Sequence, residues 1–216
     1  MTADPDGAGT GTPVAVLDYG IGNLRSAEKA LQHVGADARL TDDPATVRAA
    51  AGVVLPGVGA FGRCMEALVD TGLDAVAREA VTDGVPFLGI CVGMQLLYEG
   101  SDESPGVAGL GLLEGWVRRL PDGVKRPQMQ WNVVERLRPT TMFDGLDEPI
   151  WMYFVHSYAA EDTAHAVAGC DYGGPVVAAV ERDNVWATQF HPEKSGAAGL
   201  RVLANFVARA AGAKGA

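Results

Sequence analysis

Basic residues are scarce in this sequence. Lys and Arg total 17 against 27 Asp and Glu, for a formal charge of −10, which argues against an extended nucleic-acid interface or an anionic membrane surface. Cysteine is scarcer still: Cys64, Cys91 and Cys170 are an odd count at wide spacing. That pattern fits neither a disulfide framework nor a Cys-x-x-Cys zinc site, and it points to a reducing compartment. No window reaches the ~20 apolar residues of a membrane span. The opening dozen residues lack the basic and apolar regions of a signal segment, so the cytoplasm is the expected location. There is no internal repeat, no long linker and no His or carboxylate cluster at metal-ligand spacing, so neither metal nor cofactor is expected.

What remains is 216 residues, 48% of them hydrophobic and 28 of them glycine, enough for one full-sized domain with a core of its own. Residues 1–12 and 210–216 hold too few bulky apolar side chains to order themselves. The folded unit is therefore expected over residues 13–209, with disordered tails. The first half alternates short apolar runs (14–17, 38–40, 52–55, 86–90) with helical stretches (24–34, 44–50, 61–68, 73–82, 93–98), the pattern of parallel βαβ units. In the second half, short strands near 112–117, 131–136, 150–155, 165–170, 176–180 and 185–190 are separated by turn residues, which points to antiparallel pairing. A last helix is expected over 197–211. The fold class is α/β, with a mixed, largely parallel central sheet flanked by helices and additional antiparallel strands in the second half. Chemistry is expected at the carboxyl ends of the parallel strands.

Gly89-Ile90-Cys91-Val92-Gly93 carries the strongest chemical signal. An apolar strand runs into a cysteine with glycine two residues to either side, the pattern of a strand-to-helix elbow that pushes a nucleophile into the open. The following helix N-terminus favours a thiolate, and the Val92 amide faces a developing oxyanion. A thiol nucleophile needs a base. His33 and His165 have no special context, whereas His191 follows an apolar strand, with Glu193 two residues on to fix its tautomer. Leu55-Pro56-Gly57-Val58-Gly59, directly after another parallel strand, supplies a second oxyanion arm through Val58. Gly20-Ile21-Gly22 opens a helix as dinucleotide loops do but lacks the third glycine.

Together these motifs resemble the class I, triad-type glutamine amidotransferases, with a flavodoxin-like fold. Asp18-Tyr19-Gly20-Ile21-Gly22-Asn23-Leu24, Tyr153-Phe154-Val155-His156-Ser157-Tyr158 and Gln189 through Ser195 are similar in particular to the glutaminase subunits of imidazole glycerol phosphate synthase. The resemblance implies that Cys91 forms a γ-glutamyl thioester, that His191 moves protons and that Glu193 orients His191. It further places Gly57, Gln95, Glu103, His156, Ser157 and Tyr158 around glutamine. Asn23, Trp131, Tyr153 and Lys194 fall against a cyclase partner with a (β/α) barrel fold, in a heterodimer that passes ammonia between subunits for histidine biosynthesis. A multiply anionic nucleotide substrate is then expected on the partner, not on this acidic chain. Gln128 and Gln130 depart from the family's Pro-His-x-Gly-Trp-Asn and bear on partner docking. Two other readings share the fold: the glutaminase of a different synthase, and a non-catalytic binding protein, against which the intact triad argues.

Overall fold

The computed structural model describes residues 11–22, 24–161 and 164–213, so the position expected at Asn23 lies outside the described residues. In chain order the elements are β1 (Thr12–Leu17), α1 (Leu24–His33), β2 (Ala36–Thr41), α2 (Pro44–Ala49), β3 (Gly52–Gly57), α3 (Phe61–Asp70), α4 (Leu73–Thr82), β4 (Phe87–Cys91) and α5 (Val92–Gln95). They continue with β5 (Gly100–Ser101), β6 (Trp116–Arg119), β7 (Gln128–Arg136), β8 (Ile150–His156), β9 (Tyr158–Ala160), β10 (Ala166–Asp171), β11 (Pro175–Arg182), β12 (Val185–Thr188) and α6 (Gly196–Ala213).

Nine strands form one sheet in the order β2-β1-β3-β4-β12-β11-β10-β7-β8. From β2 to β12 the pairings are parallel, and from β12 to β8 they are antiparallel. The parallel strands β1, β3 and β4 are apolar nearly throughout because helices cover both faces of this part of the sheet, which leaves no side on which a polar residue is solvated. The β7–β8 hairpin alternates instead. Met152, Phe154 and His156 turn inward, while Trp151 and Tyr153 share the outer face with Met129 and Trp131. A small second sheet, β5-β6-β9, stands beside the site.

Four expected boundaries move. The 112–117 segment is not a strand: Leu110, Leu112 and Leu113 donate their amides to the carbonyls of Leu96 and Leu97, and the ladder begins only at Trp116. The elbow helix is one turn instead of the expected 93–98 stretch: the Leu97 and Tyr98 amides bond three residues back, to Met94 and Gln95, and the loop satisfies the carbonyls left free at Leu96 and Leu97. At the ends, β1 already pairs at Thr12 with Ala36. Helix α6 runs on to Ala213, with Ala210 fully buried where Gly52 leaves room for it, so residues 210–213 are not a disordered tail.

Candidate active site

Strand β4 delivers Cys91 to the carboxyl edge of the parallel sheet, next to Gly57 at the end of β3. Cys91 has φ 54° and ψ −112°, a backbone region that a side-chain-bearing residue enters only at a cost of ~1–3 kcal/mol and holds only when its surroundings enforce it. The flanking glycines are what enforce it. A Cβ on Gly93 would stand 1.8 Å from the Leu55 carbonyl oxygen, and one on Gly89 would meet Gly93 and Met94 at 3.0 Å. The elbow turn is thereby pressed directly onto the backbone of β3 and β4. Gly57 belongs to the same packing, because a Cβ there would lie 2.7 Å from the Gly93 nitrogen. It supports the site from below and is not part of the cavity wall.

Strand β12, paired with β4 through Thr188 and Ile90, carries His191 in from the other side. His191 Nδ1 lies 2.7 Å from Glu193 Oε1, both side chains being almost fully buried. Its Nε2 makes no hydrogen bond to any described group. Burial by itself lowers the His191 pKa, but the neighbouring Cys91 thiol and the Glu193 carboxylate outweigh it and raise the imidazole to about 9. The three residues expected as a triad are therefore brought together, with Glu193 behind His191 and outside the cavity wall.

That cavity, about 390 Å³, is lined by Val58, Cys91, Val92, Gln95, Glu103, His156, Ser157, Tyr158, His191 and Lys194 among others. Its size lies near the lower end of ligand cavities, ~300–1,000 Å³. The main-chain carbonyl of Tyr158 orients two of these walls, accepting from His156 Nδ1 at 2.9 Å and from Gln95 Nε2 at 2.9 Å. Burial, opposed by that carbonyl and reinforced by His191, lowers His156 to about 4. It is neutral at physiological pH, with Nε2 unpaired as an acceptor. Glu103 lines the cavity and also accepts the Phe61 amide at 2.7 Å, so it caps α3 instead of standing free as an acidic turn.

The arm after β3 is held from beneath. Tyr19 Oη donates to the Pro56 carbonyl at 2.7 Å, and Cys64 Sγ donates to the Val58 carbonyl at 3.3 Å. Burial raises the Cys64 thiol to about 11, so it keeps the proton this bond needs. The Gly57–Val58 peptide lies between the two held carbonyls, at the end of β3. Gln189 is a site residue that no spacing rule singled out. Fully buried, it accepts from Gln95 Nε2 at 3.0 Å and places its own Nε2 3.7 Å from Cys91 Sγ. A polar side chain at the end of an otherwise apolar strand was the available signal. Among the described residues, no group of His, Cys, Asp and Glu is arranged to hold a metal ion, and no helix is long and apolar enough to cross a membrane.

The two buried histidines shift in opposite directions, which fixes a pH dependence. His191 binds its proton more tightly in the fold than at the ordinary 6.5, so its contribution to stability is complete below ~6.5 and is lost as pH rises through about 9. His156 resists protonation in the fold, and its contribution is lost as pH falls from ~6.5 to about 4. In His156→Asn, the acid-side loss is expected to shrink by about 2–3 kcal/mol at pH 4, read from urea denaturation across that range.

A family model described as glutamine amidotransferase class-I matches residues 15–210. Subunit HisH of imidazole glycerol phosphate synthase from Symbiobacterium thermophilum is 52% identical over 195 residues, spanning 89% of this chain and 92% of that protein. The HisH subunit of Methanothermobacter thermautotrophicus is 51% identical over 195 residues, spanning 90% and 97%. In fold, the chain is similar to a crystal structure of a glutamine amidotransferase, with a TM-score of 0.73, 22% identity and coverage of 92% of this chain and 98% of that one. It is also similar to the structure of PurLQS from Thermotoga maritima, with a TM-score of 0.72 at 20% identity and the same coverage, 92% and 98%. At such identities, these structures speak to the fold alone.

Proposed function

Because the chain belongs to the class I glutamine amidotransferases, and within them to the HisH glutaminase subunits of imidazole glycerol phosphate synthase, we propose that Cys91, His191 and Glu193 hydrolyse glutamine through a γ-glutamyl thioester. The observation that carries this reading is the strained Cys91 elbow opening into one cavity with a His191 whose far nitrogen is locked by Glu193.

In the first step, Cys91 Sγ attacks the side-chain amide carbon of glutamine as the thiolate while His191 carries the proton on Nε2, the state its raised pKa favours. The amides of Val92 and Val58 receive the oxyanion, the latter once the Gly57–Val58 peptide turns its N–H inward. The tetrahedral adduct collapses as His191 gives its proton to the departing nitrogen, which leaves as ammonia. Water, deprotonated by His191, then attacks the thioester. Glutamate departs and the thiol is restored. Glu193 accepts the Nδ1 proton bond throughout and stabilises each transient imidazolium.

Glutamine is a zwitterion, and the cavity offers both signs of charge in Glu103 and Lys194. Glu103 with its second oxygen takes the α-ammonium, while Gln95, His156, Ser157 and Tyr158 bound the amino-acid end. Ammonia passes to a (β/α) barrel cyclase bound as a heterodimer in the cytoplasm. The outer face of β7–β8 receives that partner. Trp131 and Tyr153 stack edge to face there at 6.1 Å. Met129 and Trp131 are 61% and 48% exposed, an apolar concentration unusual for a solvated strand face. Lys194 stands at the cavity wall beside it, and Asn23 is assigned to the same contact. Gln130 is exposed, whereas Gln128 is fully buried and so bears on the inside of the hairpin instead of on the docking surface.

Glutaminase assays with and without the cyclase and its nucleotide test the reading. The isolated chain is expected to turn over glutamine slowly, and the partner to raise that rate at least about tenfold by setting the Gly57–Val58 peptide. Equal rates in both conditions count against a partner-set arm. No glutaminase activity in either counts against the function.

A further inference from the structure

We infer that the Ser195 hydroxyl is a positioning group that sets the distance between the catalytic histidine and strand β8, an inference that rests on the glutaminase reading above.

The main chains of His191 and Tyr153 are joined twice, once directly and once through a side chain. The His191 amide donates directly to the Tyr153 carbonyl at 3.0 Å. The second connection, from the Tyr153 amide to the His191 carbonyl, is a relay. The Tyr153 amide donates to Ser195 Oγ at 3.0 Å, and Ser195 Oγ donates to the His191 carbonyl at 2.6 Å. One hydroxyl thus stands between the two main chains where a direct rung would otherwise form, holding them apart on that side by two hydrogen-bond lengths instead of one. Ser195 is 1% exposed, so bulk water does not occupy the same position at will. The imidazole plane is fixed at Nδ1 by Glu193, but Glu193 travels with the same short 3-10 turn, Pro192–Lys194. The Ser195 relay is what references that turn to the sheet.

Without the hydroxyl, the Tyr153 amide is buried with no partner, a state that folds avoid. The direct rung then closes. The main chain of His191 is drawn toward β8, and displacements of ~1 Å at a reacting group cost up to ~100-fold in rate. Because β8 carries Trp151 and Tyr153 on its outer face, the direct bond and the Ser195 relay together join the proposed docking strand to the base of the reaction.

The test compares Ser195→Ala and Ser195→Thr in the full complex with the cyclase. Two readouts are taken: steady-state glutamine turnover, and the rate at which iodoacetamide alkylates Cys91, assigned by peptide mass mapping. For Ser195→Ala, kcat is expected to fall about 10–100-fold with KM within about threefold, and Cys91 alkylation to change by at least about fivefold. Ser195→Thr, which retains the hydroxyl, is expected to recover kcat to within about threefold of wild type. An alanine variant with wild-type kcat and alkylation overturns the inference. So does a threonine variant as impaired as alanine, or a kcat loss matched by a drop of more than ~10 °C in melting midpoint, which assigns the hydroxyl to stability. A wild-type complex that alkylates at Cys91 yet never turns over glutamine overturns the glutaminase reading, and the alkylation rates still decide the role of Ser195.

Discussion

Replacing Cys91 by alanine is expected to lower glutamine-dependent synthesis by the reconstituted complex about 10⁴–10⁶-fold, while synthesis from added ammonium stays within about twofold of wild type. The asymmetry follows from where the sulfur acts. Without it, no thioester forms and the amide bond keeps its nitrogen, but the partner still receives ammonia supplied from solution. The remaining His191 and oxyanion donors provide only the residual acceleration that a triad leaves behind, ~10³–10⁴ over water, which falls beneath the complex's own turnover. Loss of both activities in Cys91→Ala would place the residue in the architecture of the complex instead of in chemistry. Stability adds a second reading. Cys91 sits at φ 54°, so Cys91→Gly removes strain that Cys91→Ala keeps and is expected to be the more stable of the two by about 1 kcal/mol. Parallel urea titrations check it.

Gly93→Ala is expected to be nearly as damaging without touching a reacting atom. The added methyl would lie 1.8 Å from the Leu55 carbonyl oxygen and 2.8 Å from its carbon, both in the backbone of a central strand where no side chain can swing aside. Either β3 separates from the elbow or the elbow lifts from the sheet. The first route costs about 3 kcal/mol or more of stability, on the scale of severe overpacking. The second carries Cys91 away from His191 and lowers kcat by at least about 100-fold. Gly212→Ala is the control. Nothing lies within 4 Å of its added carbon, and in helix α6 the change is expected to be neutral or stabilising by up to about 1 kcal/mol. Glutaminase kcat and denaturation midpoints of the two variants, measured side by side, decide it. A Gly93→Ala protein with wild-type values of both would remove close packing as the reason for the glycine.

The elbow was readable from residues 89–93 because its physics is local: two glycines, one apolar strand and one nucleophile in five positions. His191 and Glu193 were readable for a similar reason, a titratable pair two residues apart just past an apolar run. The parallel half of the sheet was legible because strands buried on both faces are apolar throughout. What escaped depends on chain segments meeting across space. Nothing in the run 110–113 tells that its amides bond to the elbow's last carbonyls instead of extending a ladder, and apolar burial looks the same in both. Gln189 and Ser195 bound a segment that carries the family resemblance, but nothing in the sequence gives either of them a role of its own. Their roles appear only when Gln95 and Tyr153 are brought opposite them. Glu103 has the same character, since its cap on α3 is made to an amide 42 residues earlier.

The placement of β12 between β4 and β11 governs the order in which the chain acquires its reactivity during synthesis. Strands β1 to β4 and the cysteine leave the ribosome early, and they can pair among themselves with short right-handed crossovers. The histidine arrives nearly half the chain later, on the strand that must slot against β4 last of the parallel set. At about 5–20 residues per second, the nascent chain therefore carries Cys91 for several seconds before His191 is added. Termination between Cys91 and β12 yields a polypeptide with the nucleophile but without its proposed base. The proposed triad thus becomes possible only once synthesis has passed Glu193.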